Sequence, residues 1–421
     1  MIAPAEPNTN TSMNTIKTLK PFYLIALLSA IWVVTGFNKN DDTSSTSQKS
    51  KYDGDYSLYL SNSSQPEIKW ITQVQDVGQY ELYDSNNKLI SKGKTELSRA
   101  HAIKVEQEIK RPFTLKYGGE TSGMHEMLIR PADQGMAREI KSAENLYVLG
   151  DIHGRYDELI NLLQKSKVVD EKLNWIANDA HLIFLGDLFD RGNDVTKVLW
   201  FIYQLEPKAI KAGGKVHVVL GNHEIMTMTK DLRYVSQKEL SLGIAHKMTY
   251  DEFFHPTRSF LGNWLRSKPS LLKIDQIVFA HGGILELGNV SLKEFNTRAY
   301  DYMEDPIYLE IMKDYPDSLN YSPDRWNEMR NFFYHPESPY WYRGYVLSDT
   351  LMPELKSMLN KYQSKIHVVA HTPVESITER YKGLLLTTDL NEAATELLLL
   401  SKKKKKFARF KIDSQGIKTE L

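Results

Sequence analysis

Five short apolar runs of the sequence each end in side chains that can bind a metal ion. The runs read LYVLGDIHG, LIFLGDLFDRG, VHVVLGNHE, IVFAHGG and IHVVAHTP. The polar side chains at their ends are Asp151 and His153; Asp187, Asp190 and Arg191; Asn222, His223 and Glu224; His281; and His371. One such residue alone is most often a turn residue or a helix cap. Five repetitions of the same arrangement favour a single shared site.

These residue types suit a pair of divalent cations. Imidazole and carboxylate ligands with one amide favour Mn²⁺, Fe or Zn²⁺, with Mn²⁺ the expected ion in vitro. Two such ions about 3.5–4 Å apart can share a carboxylate and a hydroxide, which is a nucleophile at neutral pH. Arginine binds phosphate oxygens in a bidentate manner, and a histidine held by a carboxylate can protonate a leaving oxygen. The pattern therefore indicates hydrolysis of a phosphate ester.

The elements that must position these residues are buried strands. Each apolar run is short, rich in leucine or β-branched residues, and followed by a glycine or a turn, as in a buried strand of an α/β sheet. Ligands of such sheets bind beyond the carboxyl ends of the strands. Residues 157–166 and 195–206 show the periodicity of amphipathic helices, which predicts a βαβ arrangement. Residues 225–275 are predicted to form a long helical insertion, and the lysines at 402–406 a hairpin or an edge strand.

The motifs GDIHG, GDLFDRG, GNHE, AHGG and AHTP resemble those of the calcineurin-like metallophosphoesterases. GDLFDRG with GNHE is similar to the phosphoprotein phosphatase branch of that family. Residues 221–236 and 338–345 resemble the Shewanella-like phosphatases within the branch. The resemblance covers about residues 145–389 and implies an α/β fold, with a β-sandwich of mixed sheets flanked by helices over residues 140–412.

The resemblance also implies a role for each motif residue. It implies two metal sites that share one carboxylate: Asp151 and His153 for the first ion, Asp187 for both, and Asn222, His281 and His371 for the second. It implies that His223 is the general acid and that Asp190 orients it. Arg191 and Arg343 match the arginines that bind the phosphate, and Glu224 is expected to support the metal ligands.

The N-terminal part of the chain has a different character. Residues 1–20 are basic, residues 21–37 form an uncharged apolar run, and residues 38–50 form a polar linker. This layout predicts a signal peptide or a membrane anchor, and hence an exported protein that is periplasmic or faces the exterior. Residues 51–130 are predicted to form a small β-rich domain, and residues 116–140 look like a connector.

Composition limits the possible functions. The 421 residues include 53 Lys and Arg and 53 Asp and Glu, so the net charge is zero. A dedicated nucleic-acid binder needs a basic excess, which excludes nucleic acid as the expected partner. The leading hypothesis is a phosphatase that acts on phosphoproteins or phosphopeptides carrying phospho-Ser/Thr or phospho-Tyr. A nucleotide or dinucleoside polyphosphate hydrolase and a non-catalytic exported binding module are the alternatives.

Overall fold

The computed structural model describes residues 57–132, 139–140, 144–285, 287–312, 322–391, 393–404 and 406–421. Residues 51–421 form one compact unit. The predicted basic segment, apolar run and linker of residues 1–50 lie outside the described residues. Within the described part of the chain, no helix is both long enough and apolar enough to cross a membrane.

The first sheet is antiparallel and contains five strands. Glycines and mixed charge predict a connector over residues 116–140, and this prediction is wrong where the segment forms the end of strand β4 (Phe113–Gly119), strand β5 (Gly123–Ile129) and strand β6 (Glu139–Ile140). The mixed charge there is a cross-strand pair, since Glu126 of the half-exposed edge strand β5 lies opposite Lys116 of β4. The strands are β1 (Tyr59–Leu60), β2 (Glu67–Asp84), β3 (Leu89–Lys104), β4 (Phe113–Gly119) and β5 (Gly123–Ile129).

Two further six-stranded sheets are mixed and pack face to face. Side chains from both sheets, among them Val148, Ile183, Phe279 and Val368, form one buried cluster, so the predicted sandwich is confirmed. One sheet has the order β13-β14-β12-β11-β10-β6 and the other β17-β16-β15-β7-β8-β9. Their strands are β6 (Glu139–Ile140), β7 (Asn145–Leu149), β8 (His181–Phe184), β9 (Lys215–Val218), β10 (Leu271–Ile274), β11 (Ile277–Ala280), β12 (Ile366–Val369), β13 (Thr378–Arg380), β14 (Leu385–Thr387), β15 (Glu396–Lys403), β16 (Lys406–Asp413) and β17 (Lys418–Glu420).

Parallel pairing places the ends of the motif strands together. Strands β7, β8 and β9 run parallel in one sheet, and β11, β12 and β14 run parallel in the other. The carboxyl ends of parallel strands meet at the same edge of a sheet, so each sheet gathers its motif residues at one edge. Of the lysines at 402–406, the described ones, Lys402, Lys403, Lys404 and Lys406, fall in the β15–β16 hairpin, as predicted.

Helices cover the sheets. Both predicted amphipathic helices are present, the second extending to Lys211. The insertion predicted over residues 225–275 is helical up to Arg266, but its last residues form strand β10, which turns at Asp275 into β11. The helices are α1 (Tyr156–Lys165), α2 (Val195–Lys211), α3 (Asn222–Met228), α4 (Gln237–Ala245), α5 (Tyr250–Phe253), α6 (Phe260–Arg266), α7 (Leu292–Tyr302), α8 (Pro323–Tyr334), α9 (Gly344–Leu347) and α10 (Met352–Lys361), with 3₁₀ turns at Pro306–Glu310 and Tyr381–Gly383.

Polar contacts join the first sheet to the helices. The indole nitrogen of Trp200 on α2 donates a hydrogen bond of 3.0 Å to the Leu58 carbonyl. Beside it, Nε2 of His246, the residue after α4, donates a 2.7 Å hydrogen bond to the Ser57 carbonyl. Both side chains are buried. The chain segment that leads into the first sheet is therefore fixed onto the helical layer.

Buried histidines predict that the fold loses stability in acid. His367 is fully buried and accepts a hydrogen bond from the Ile284 amide, so it is held neutral. Burial lowers the pKa of His367, and likewise of His246, to about 4. In the unfolded chain the same imidazoles bind a proton near pH 6.5. Their contribution to the free energy of unfolding is therefore complete above that pH and is lost as the pH falls towards 4.

We expect the melting temperature to fall by about 5 °C or more between pH 7 and pH 5. Differential scanning fluorimetry across this range measures the effect. A His367→Gln variant, whose side chain does not titrate, should show a shallower pH dependence than the wild type. Equal slopes for the two proteins would contradict the assignment to His367.

Candidate metal centre

The carboxylate of Asp187 lies at the centre of a buried cluster of histidines. Its Oδ2 atom lies 3.1 Å from Nε2 of His281, 3.7 Å from Nε2 of His223 and 3.9 Å from Nε2 of His153. Nδ1 of His371 is 3.2 Å from Nε2 of His281. The structure thus brings ligands from four different strand ends to one carboxylate.

The two remaining predicted ligands flank this cluster. Asp151 Oδ2 lies 3.7 Å from Nε2 of His153, and its Oδ1 accepts a hydrogen bond from the His371 amide. Asn222 Oδ1 lies 2.9 Å from Nε2 of His281, while its amide nitrogen is directed to the sulfur of Met226. All six predicted metal ligands therefore meet in one place. Asp187 lies between the predicted ligands of the first ion, Asp151 and His153, and those of the second, Asn222, His281 and His371.

The donor set fits divalent cations. Ligand atoms held about 2.1 Å from one cation lie roughly 3–4 Å apart, which is the spacing seen around Asp187. His153 donates from Nδ1 to the Phe189 carbonyl, at 2.6 Å, so Nε2 carries the free lone pair. That buried Nε2 has no hydrogen-bond partner among the described residues. Two groups can hold an ion: His153, Asp187 and His223, and Asp187, His281 and His371.

The loops that carry the ligands are held in strained backbone conformations. Each such residue costs of order 1–3 kcal/mol and persists where the surroundings fix it. Here the Asp187 carbonyl accepts a 2.8 Å hydrogen bond from the His153 amide, which ties two ligand loops together. A Cβ at Gly221 would lie 2.4 Å from Asp187 Oδ1, so only glycine fits there. The residues with positive φ are His153 (47°), Asp187 (51°), Asp190 (69°), Arg191 (62°) and His371 (64°).

His223 and Asp190 form a buried pair beside the cluster. Nδ1 of His223 lies 2.5 Å from Asp190 Oδ2, and the His223 amide donates to Asp187 Oδ1 at 3.0 Å. Burial favours the neutral ring, but the carboxylates of Asp187 and Asp190 outweigh it and raise the pKa of His223 above its ordinary value. The ring is therefore held with Nε2 towards the cluster, and the Asp190 carboxylate favours its protonated form.

Glu224 supports the cluster through the backbone. Its carboxylate is fully buried and accepts hydrogen bonds from the amides of Asp187 (2.9 Å), Leu188 (2.7 Å) and Gly221 (2.6 Å). These amides belong to the loops after β8 and β9. The side chain thus fixes the relative position of two ligand loops without facing the metal site itself.

Replacing Glu224 with Ala should lower the free energy of unfolding by about 3 kcal/mol or more, because three buried amides lose their acceptor. Urea denaturation measures this loss, and metal affinity should fall with it. Glu224→Gln should give an intermediate loss, since one oxygen remains. The matched control is Glu294→Ala, which removes an exposed capping carboxylate at α7 and should cost far less than the loss of Glu224. Equal losses for Glu224→Ala and Glu294→Ala would contradict this role.

Of the two arginines predicted to bind phosphate, Arg343 contacts the cluster directly and Arg191 follows Asp190 in the chain. Arg343 Nη1 donates to the His371 carbonyl at 2.5 Å, and Nη2 lies 3.5 Å from Nδ1 of His371. Burial lowers the pKa of Arg343, and this effect outweighs the carboxylates of Asp151 and Asp187, which raise the same pKa. Arg191 has an exposed side chain, and its charge acts on both His223 and Arg343. The two cations therefore differ in burial: Arg343 is half-buried and Arg191 is exposed.

One buried carboxylate of the cluster escaped sequence analysis. Asp389 follows strand β14 in the run LLLTTDL and is 2% exposed. Burial and the charges of Asp151 and Asp187 raise its pKa to about 8. The signal was the same as for the motif residues, an aspartate just after an apolar run, but no glycine or histidine accompanied it.

Comparison with known proteins agrees with this geometry. The family model described as calcineurin-like phosphoesterase matches residues 145–375, more than half of the chain. The chain belongs to the calcineurin-like phosphoesterase family. The resemblance found in the motifs is thereby confirmed, and the chain is assigned to a family that depends on two metal ions.

Curated relatives include phosphatases and a nucleotide hydrolase. Shewanella-like protein phosphatase 1 of Plasmodium berghei is 29% identical over 241 residues, covering 55% of this chain and 62% of that protein. A symmetrical bis(5'-nucleosyl)-tetraphosphatase of Buchnera aphidicola is 36% identical over 143 residues, covering 33% of this chain and 44% of that protein. The chain thus spans less than two thirds of the length of these two relatives.

A solved structure extends the likeness. The cold-active protein-tyrosine phosphatase of a psychrophilic Shewanella species superposes with a TM-score of 0.66 at 26% identity, covering 87% of this chain and 98% of that one. The superposition covers more of this chain than the family model matches, so the similarity includes much of the chain outside residues 145–375.

Proposed function

We propose that this protein is a metal-dependent phosphatase that hydrolyses phosphomonoesters of proteins or peptides. The observation that carries the proposal is the buried Asp187-centred cluster with the His223–Asp190 pair at its side. The names of the Shewanella-like phosphatases and of the Shewanella tyrosine phosphatase support a phosphoprotein substrate.

Each residue of the cluster has a role in this proposal. The six ligands Asp151, His153, Asp187, Asn222, His281 and His371 would hold two divalent cations. When bound, such cations lower the pKa of a coordinated water and offset the charge of phosphate oxygens. Arg343, fixed by the His371 carbonyl, and Arg191 would bind the remaining phosphate oxygens. His223 would give a proton from Nε2 to the leaving oxygen, while Asp190 keeps the ring oriented.

His223 also belongs to one of the two groups that can hold a metal ion. The short contact between Nδ1 of His223 and Asp190 Oδ2 stabilises the protonated ring, and the GNHE motif puts His223 at the position that the family resemblance implies for the general acid. We therefore assign His223 to proton transfer and not to metal binding.

A second candidate is hydrolysis of a dinucleoside polyphosphate at the same site. The Buchnera tetraphosphatase favours it, because its identity to this chain is higher than that of the Plasmodium phosphatase, although over a shorter segment. The loops after GNHE and around WYRGY would decide between the substrates, since they border the cluster. A binding module without activity is the third possibility, but it would have no use for the His223–Asp190 pair.

The test is an activity matrix of metals against substrates on the full chain. Mn²⁺, Fe²⁺ and Zn²⁺ are each combined with phosphoserine, phosphothreonine and phosphotyrosine peptides, and with diadenosine tetraphosphate. We expect phosphopeptide hydrolysis, strongest with Mn²⁺. Hydrolysis of the dinucleotide alone would establish the second candidate. No hydrolysis of any substrate, p-nitrophenyl phosphate included, would favour the binding module.

We also propose that the protein is exported. Support comes from the sequence alone: the apolar run 21–37 follows Lys17 and Lys20 and precedes a polar linker. The positive-inside rule then places the phosphatase outside the cytoplasm. Cell fractionation tests the proposal, and full-length protein in the cytosol would contradict it.

A further inference from the structure

An exposed aromatic side chain lies beside the proposed proton donor. Tyr234 is 50% exposed and is the one aromatic residue among the exposed large hydrophobic side chains of the described chain. Its ring centroid lies 5.5 Å from that of His223, with the two planes tilted by 54°. The Arg233 guanidinium lies over the same ring, 5.6 Å from its centroid, so the ring contacts both this cation and the His223 imidazole.

The backbone around Tyr234 is held firmly. Its carbonyl accepts a 2.8 Å hydrogen bond from the amide of Arg191, one of the two phosphate-binding arginines. The preceding residue, Arg233, makes a bidentate contact of 2.7 and 2.8 Å with Asp231, which is buried. The Asp231 amide in turn donates to the Met226 carbonyl of α3. The ring therefore sits on a braced loop, tied to the same helix that carries His223.

The position of the general acid determines which part of a substrate lies next to the Tyr234 ring. A general acid must lie within hydrogen-bond distance of the leaving oxygen. The group attached to that oxygen then occupies the space next to His223, where Tyr234 is exposed. This step rests on the proposed function, because it needs His223 to be the proton donor.

We propose that Tyr234 is a specificity residue that packs against an aromatic leaving group, and so favours phosphotyrosine over phosphoserine. A phenyl ring offers a face or an edge to the Tyr234 ring, whereas the serine side chain offers one methylene. Aromatic pairs contribute beyond the area they bury. Trp341 does not compete for this role: its ring lies against that of His371, at 5.8 Å, and its indole nitrogen donates a hydrogen bond to the Phe333 carbonyl.

The test compares Tyr234→Ala and Tyr234→Phe on two peptides of identical flanking sequence, one with phosphotyrosine and one with phosphoserine. We expect Tyr234→Ala to lower kcat/KM for the phosphotyrosine peptide by about 5- to 10-fold, mainly through KM, and for the phosphoserine peptide by less than about twofold. Tyr234→Phe should retain the wild-type preference, because the ring is kept. Ile417→Ala, which removes another exposed apolar side chain, is the control and should change neither value.

The outcomes separate this inference from the proposed function. Equal losses on both peptides, or no loss on either, would overturn the role of Tyr234 and leave the phosphatase proposal standing. A loss in Tyr234→Phe as large as in Tyr234→Ala would assign the effect to the hydroxyl and overturn it as well. A wild type that hydrolyses only diadenosine tetraphosphate would overturn the phosphopeptide proposal and this inference together. Metal content, measured on each variant, shows whether the cluster itself is intact.

Discussion

Replacing Asp187 with Asn is expected to abolish both metal binding and activity, with kcat lowered by more than about 10³-fold. Asp187 Oδ2 is the atom that His153, His223 and His281 face, at 3.1–3.9 Å. Its Oδ1 accepts from the His223 amide, so the oxygen of an asparagine would remain there. The NH₂ group would then point at the histidines, and an NH₂ group does not ligate a cation.

Metal content per chain by plasma mass spectrometry and hydrolysis of a phosphopeptide are the two measurements. The matched control is Asp84→Asn in the β2–β3 turn, where an amide oxygen can replace the carboxylate oxygen that accepts from the Asn86 and Lys88 amides. It should leave both values unchanged. A fully metallated, active Asp187→Asn protein would show that the shared carboxylate is misassigned.

Replacing His223 with Ala is expected to lower kcat by about 10²–10⁴-fold while the metal content stays unchanged. The loss should depend on the leaving group. A phosphoserine peptide expels a basic alkoxide that needs a proton, whereas p-nitrophenyl phosphate expels a weakly basic phenolate. The variant should therefore lose much less activity on p-nitrophenyl phosphate. Loss of metal together with activity would instead identify His223 as a ligand.

The pH dependence of kcat in an Asp190 variant tests the proton-donor role of His223 independently. A general acid works in its protonated form, so activity falls as the pH rises through its pKa. The Asp190 carboxylate, hydrogen-bonded to Nδ1 of His223, raises that pKa. Asp190→Asn removes this carboxylate, so the alkaline limb of the kcat profile should move to lower pH. An unmoved limb would separate Asp190 from proton transfer.

Sequence patterns were informative where short-range rules apply. The apolar runs predicted strands β7, β8, β9, β11 and β12, because buried strands in α/β folds are brief, apolar and followed by turns. The motif resemblance then supplied the metal ligands, all of which the structure brings together. Glu224 was expected to support the ligands, and its three backbone contacts show how.

The errors share a cause. Strands β5 and β10 were read as a connector and as part of a helical insertion. Both are short strands whose stability comes from a neighbour across a hairpin, β4 in one case and β11 in the other. Their own sequences, GMHEMLI and LLKI, are too short for a strand periodicity to show.

The sequence alone singled out the residues that we propose carry the chemistry, because residue type, spacing, motif resemblance and strand ends are all read from the chain itself. Only the tertiary structure decided that the edges of two separate sheets face each other, since that depends on burial of the shared core between them. The same packing brings in Asp389 from a sixth strand end and Arg343 from the loop before α9. It also places Tyr234 beside His223, eleven residues further along the chain, where no sequence rule joins the two.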